Sequence, residues 1–185
     1  MAKNKPTDEV LYLEAAENGD VQKMKNLSSR DTFYHTTRTE LEDEFQFDVM
    51  DKTALNKASK NGREKVVEYL LVEEQVNIEG NFSNDNPGCT PLHISANNGH
   101  LNVVKCLIGK GANIEAKDQG HLTPLHYAAI YGKLEVVKFL LQKGAKIDAK
   151  DAENWTPLLY AAVYGHAQVI KHLFQKGAKM NRKNR

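Results

Sequence analysis

Seven histidines and two cysteines are the residues from which this 185-residue chain would have to build a metal site or a nucleophile. Zinc needs Cys, His or carboxylate ligands clustered at short spacings. Cys89 and Cys106 stand 17 apart with no partner Cys or His at such a spacing. His35, His121 and His172 have no carboxylate or thiol at a recognisable ligand spacing. No GxSxG elbow, phosphate-binding Gly-rich loop or HExxH pair occurs. Cys89 is open to reading as an exposed, reactive thiol, but nothing beside it in sequence would lower its pKa. The other four histidines, His93, His126, His100 and His166, fall at recurring positions and are read as structural. The chain is therefore expected to be no enzyme, with no metal, no cofactor and no small-molecule substrate.

Composition narrows the class further. A hydrophobic content of 41% with 26% charge is that of a globular chain. Two cysteines exclude a disulfide scaffold and fit a reducing compartment. The N-terminus, MAKNKPTDEV, has no apolar core, and no stretch approaches the roughly 18 apolar residues of a spanning helix. A soluble, cytoplasmic protein is expected. The net charge of +1 hides an asymmetry: residues 1–87 carry 11 basic and 18 acidic side chains, residues 88–185 carry 14 and 6.

The elements that position these residues repeat. Residues 88–120, 121–153 and 154–185 align without gaps, with Thr90, Thr123 and Thr156 spaced by 33, as are Gly99, Gly132 and Gly165. Two degenerate copies precede them, over about 7–30 and 48–85, separated by an acidic insertion at 31–47. In each full copy Thr is an N-cap and Pro91, Pro124 or Pro157 follows at the first helical position, where a missing N–H costs nothing. The next glycine turns the chain into a second helix, and Gly111, Gly144 or Gly177 ends that helix in the left-handed conformation. Helices this short do not persist alone in water, so neighbouring pairs must stack.

The period and the TPLH motif resemble the ankyrin-repeat family over nearly the whole chain. That resemblance implies one domain, residues 1–185, with an all-α fold: an ankyrin-repeat solenoid of stacked helix-turn-helix units with β-hairpin-like finger loops. It implies that His93 and His126 tie their own turn to the neighbouring finger. It also implies protein recognition through a concave face made of finger tips and the exposed side of the first helices. The first copy lacks TPLH and reads as a polar cap; the second has Thr53-Ala54-Leu55-Asn56; the last has Leu159 in place of His. The last copy reads either as a weak cap or as a link in an array that continues beyond Arg185.

On that face the resemblance picks out positions before each motif Thr (Lys52, Cys89, Leu122, Trp155) and at the end of each first helix. The trend runs from polar (Lys60-Asn61, Asn97-Asn98) to apolar and aromatic (Ile130-Tyr131, Val163-Tyr164). Leu122, Ile130, Tyr131, Trp155, Val163 and Tyr164 are the candidate partner-binding residues, since solubility alone would favour polar ones, and Tyr and Trp dominate hot spots. Packing between repeats is the competing account, favoured for Tyr127 and Tyr160. The expected molecule is a monomer that binds a partner protein as an adaptor or regulator.

Alternative readings use the charges. Lysines recur at the period (Lys105, Lys138, Lys171; Lys110, Lys143, Lys176; Lys117, Lys150; Lys146, Lys179), and such stripes could hold a phosphorylated protein, a membrane surface or nucleic acid. Twenty Lys against five Arg speaks against nucleic-acid reading, in which Arg dominates base contacts. The insertion could contact a partner or fold over the groove. Lys- and Asn-rich composition hints at an AT-rich genome. Together with the family resemblance it leaves open a secreted bacterial effector acting on a host protein, located in the host cell.

Overall fold

In a computed structural model, residues 7–29, 52–80 and 88–180 are described. They form ten helices in five pairs: α1 (Asp8–Asn18) with α2 (Val21–Ser28), α3 (52–60) with α4 (Glu64–Val72), α5 (Pro91–Asn98) with α6 (Leu101–Gly109), α7 (Pro124–Ile130) with α8 (Leu134–Gln142), and α9 (Pro157–Val163) with α10 (Ala167–Gln175). The acidic insertion at 31–47 lies outside the described residues. Among the described residues there is no strand, and no helix is long and apolar enough to cross a membrane.

The helix starts follow their sequence signals. Thr90 and Thr123 are extended N-caps with Pro at the first position. Each exchanges bonds with the histidine three residues on, a capping box in which imidazole replaces the usual Glu. Thr156 also caps, accepting from the Leu159 N–H at 3.4 Å, but Leu159 returns nothing. In the first pair Thr7 and Asp20 do the capping.

Stacking makes two layers. α5, α7 and α9 pack side by side in one layer, and α4, α6, α8 and α10 pack in sequence in the other. Between them the apolar ladder keeps the sequence period: Leu92, Leu125 and Leu158 are buried from one layer, Leu107, Leu140 and Leu173 from the other. Ala96, Ala129 and Ala161 are among the small buried residues that let the first helices approach closely. Replacing one such leucine by Ala would cost about 2–5 kcal/mol.

Two sets of hydrogen bonds clasp repeat to repeat. His93 Nδ1 accepts from the Thr90 N–H at 3.1 Å, so Nε2 carries the proton and donates to the Leu122 carbonyl at 3.0 Å. His126 does the same with Thr123 and the Trp155 carbonyl, at 3.1 and 3.2 Å. The expected tie from turn to neighbouring finger is thus present twice. On the outer loops, carboxylates of Glu79, Glu115 and Asp148 accept the backbone N–H of Asn113, Lys146 and Lys179 one repeat later.

Candidate functional site

The fingers before α7 and α9 are tight turns built on a buried aspartate. Asp118 Oδ1 accepts from the Leu122 N–H at 2.8 Å while Oδ2 accepts from Tyr127 Oη at 2.8 Å. Asp151 repeats this with the Trp155 N–H at 2.8 Å and Tyr160 Oη at 2.6 Å. Within each turn His121 and Asn154 adopt left-handed backbone, at φ 60° and 64°. The two tyrosines therefore belong to the scaffold, as the packing account of Tyr127 and Tyr160 holds. Their edges meet the histidine rings of the preceding repeat, His93 at 5.3 Å and His126 at 5.9 Å. These Asp–Tyr pairs escaped the sequence reading; their signal is a spacing of nine residues occurring twice, one period apart.

The six candidate residues form three pairs at equivalent points of neighbouring repeats. Leu122 and Trp155 sit at the base of the fingers, their backbones held by aspartate on one side and by histidine on the other. Both side chains are half-buried, and the Trp155 ring lies 5.2 Å from that of Tyr160. Tyr131 and Tyr164 are the C-caps of α7 and α9, one residue before the left-handed glycine. They are 51% and 57% exposed. The third pair splits: Ile130 is half-buried, whereas Val163 is 63% exposed. The Ile130 carbonyl is met by His166 Nε2 of the next repeat at 2.7 Å, and among the described residues no repeat follows Val163.

Finger and turn residues do not merge into one cluster around α9. Trp155 precedes this seven-residue helix and Tyr164 follows it. Seven helical residues span about 10 Å. A ligand touching both would have to run along the first helices.

Cys89, at the equivalent finger position one repeat earlier, is buried rather than exposed. Burial pushes its thiol up to about 11, outweighing a hydrogen bond with Tyr127 that pulls it down. A reactive Cys89 is overturned by this geometry. Among the described residues no group of His, Cys, Asp or Glu could hold a metal ion.

Five of the ladder lysines have local explanations. Lys110, Lys143 and Lys176 are the C-caps of α6, α8 and α10, where a cation complements the negative end of the helix. Lys138 pairs with Glu135 at 2.6 Å. The ammonium groups of Lys105 and Lys143 lie 6.0 and 5.7 Å from the Phe139 ring.

Comparison with known proteins agrees with this architecture. A family model described as ankyrin repeats (three copies) matches residues 11–118, 72–151 and 118–184. The chain is similar to Protein fem-1 homolog CG6966 of Drosophila melanogaster, 33% identical over 90 residues, which is 46% of this chain and 14% of that protein. It is also similar to Delta-latroinsectotoxin-Lt1a of Latrodectus tredecimguttatus, 37% identical over 68 residues, 36% of this chain and 5% of that protein. The matches therefore span a small part of these relatives' length.

Proposed function

This chain belongs to the ankyrin-repeat family, and from that premise we propose that it is a non-catalytic module whose fingers and first helices grip a partner protein. The observation that carries the reading is the pair Tyr131 and Tyr164. Two tyrosines at one position of successive repeats stay more than half exposed, while the tyrosines four residues before them are hydrogen-bonded into the scaffold. Aromatic side chains left in water at neighbouring sites favour hot-spot recognition over solubility. Trp155, Leu122 and Ile130, each half-buried, form the supporting rim, and Val163 stands at the edge towards the end of the stack.

Partner capture by the full chain beside Tyr131→Ala/Tyr164→Ala tests this. Both residues are exposed, so the double variant should fold with an unchanged unfolding midpoint and lose at least tenfold in affinity. A partner retained equally by both proteins would refute the tyrosine pair. Trp155→Ala belongs in a separate arm with its own folding control, because its ring packs on Tyr160. Salt separates this reading from lysine-driven anion binding: affinity resting on apolar contacts changes little, whereas affinity resting on the stripes falls steeply.

A further inference from the structure

At four junctions the base directly after a turn glycine reaches back over the turn glycine of the preceding repeat. Arg63 Nε donates to the Glu17 carbonyl at 2.8 Å, its stem 3.1 Å from where a Cβ on Gly19 would stand. His100 Nε2 donates to the Lys60 carbonyl at 2.8 Å over Gly62, and His166 Nε2 to the Ile130 carbonyl at 2.7 Å over Gly132. Lys133 breaks the series. Its Cδ lies 2.9 Å from where a Cβ on Gly99 would stand, yet its ammonium makes no hydrogen bond or ion pair among the described residues. The stem covers the glycine and leaves the charge unused.

That charge stands on a face without acids. The first helices α3, α5, α7 and α9 and the turns that follow them (52–63, 90–100, 123–133 and 156–166) contain no Asp or Glu. The same segments hold Lys52, Lys57, Lys60, Arg63 and Lys133. Lys57 is engaged by the Glu17 carboxylate of α1 at 2.9 Å, and Arg63 by the Glu17 carbonyl. Lys60 is exposed and, like Lys133, makes no side-chain hydrogen bond or ion pair among the described residues. The row along the turn edge therefore runs from Lys60 to the half-exposed Asn97 and Asn98, with the Lys133 stem beside them over Gly99, and on to Tyr131 and Tyr164.

We propose that this row reads a linear segment of the partner protein, acidic at one end and apolar at the other, an inference that rests on the tyrosine pair being the grip. The apolar end lies on Tyr131 and Tyr164, and carboxylates of the acidic end face Lys133 and Lys60. Charge complementarity chooses the occupant, because an acid-free face with two unpaired ammonium groups attracts carboxylates and repels a basic segment. At α1 the sign reverses, since Asp8, Glu9, Glu14 and Glu17 stand on that helix, so the acidic end is held to the middle of the stack. The acidic stretch before Lys52 in this chain is a poor occupant, because its apolar residues are at the wrong end. The backbone of Phe47 lies at most about 18 Å from Lys52, and that of Val49 about 11 Å. Tyr131 is two helices across from Lys52 and a helix length along, about 20 Å or more.

The probe is a display library of random linear dodecapeptides selected on the full chain. Twelve extended residues reach about 40 Å, enough to cross four helices about 8–10 Å apart. Selected peptides should share Asp or Glu in one half and large apolar residues in the other. Lys60→Met/Lys133→Met keeps both stems and should weaken the best peptide about tenfold. Neutralising the peptide's acids to Asn or Gln should do the same, and the two losses should not add. Lys146→Met/Lys179→Met removes as much charge from the outer loops and should leave binding unchanged. Peptides without an acidic half, a loss that follows Lys146 and Lys179 instead, or a selection that enriches nothing would overturn the proposal. So would a tenfold gain in peptide affinity on deleting residues 31–47, because the chain's own segment would then be the occupant. Tyr131→Ala/Tyr164→Ala separates this failure from that of the grip itself. Peptides that need the tyrosines and ignore Lys60 and Lys133 sink only the acidic end, whereas peptides indifferent to the tyrosines sink the grip.

Discussion

His93 and His126 each make two bonds that require the neutral ring, Nδ1 accepting while Nε2–H donates. Burial lowers the pKa of both, outweighing the backbone carbonyls and the carboxylates of Asp118 and Asp151, which pull the other way. A histidine in the unfolded chain titrates at about 6.5. The unfolded state therefore takes up protons first as pH falls. The stability these residues contribute is complete above about 6.5 and is lost between there and their lower folded values. Urea midpoints should hold in neutral buffer and drop as pH passes below about 6.5. His93→Gln/His126→Gln should be less stable at neutral pH, by about 1–3 kcal/mol for each site, and should lose less on acidification. Parallel curves for the two proteins would assign the acid sensitivity elsewhere. The structural role of these rings was legible because Thr, Pro and His recur together. The burial of Cys89 was not legible, because the atoms that cover it come from other elements.

Within each pair of helices the turn glycine answers two demands, and comparing two glycines separates them. Gly132 has φ +65° and a Cβ there would fall 2.5 Å from His166 Nδ1. Gly165 has φ +74° with nothing near. Gly165→Ala should therefore cost only the left-handed backbone, about 1 kcal/mol. Gly132→Ala should cost more, because the imidazole must leave the Ile130 carbonyl. A double-mutant cycle with His166→Ala measures the difference as a coupling energy of about 0.5–3 kcal/mol. Additive effects would show that the ring does not rest on the glycine. The glycines themselves were plain in the sequence, since a left-handed stop has few alternatives. The base that follows each was harder to recognise, because Arg, His and Lys share the position and what they cover lies in the preceding repeat.

At the scale of the whole molecule, each clasp joins a repeat only to its neighbour, so local stability depends on how many neighbours a repeat has. Amide exchange should be slowest in α5 to α8 and faster in α9 and α10, which have a described repeat on one side only. Uniform protection along the stack would contradict nearest-neighbour coupling. The same fact explains why Val163 and Ile130 were grouped from sequence and part company in the structure. Identical chemistry at identical positions becomes buried or exposed according to what stands next to it, and no window of residues around Val163 contains that information. The exchangeability of these junctions also bears on how such a chain can change through its gene. An in-frame loss of residues 121–153 would place the Trp155 carbonyl where His93 now finds that of Leu122, and His166 where Lys133 now covers Gly99. Both grips survive the cut, so heredity can lengthen or shorten this molecule by whole periods without inventing a new joint.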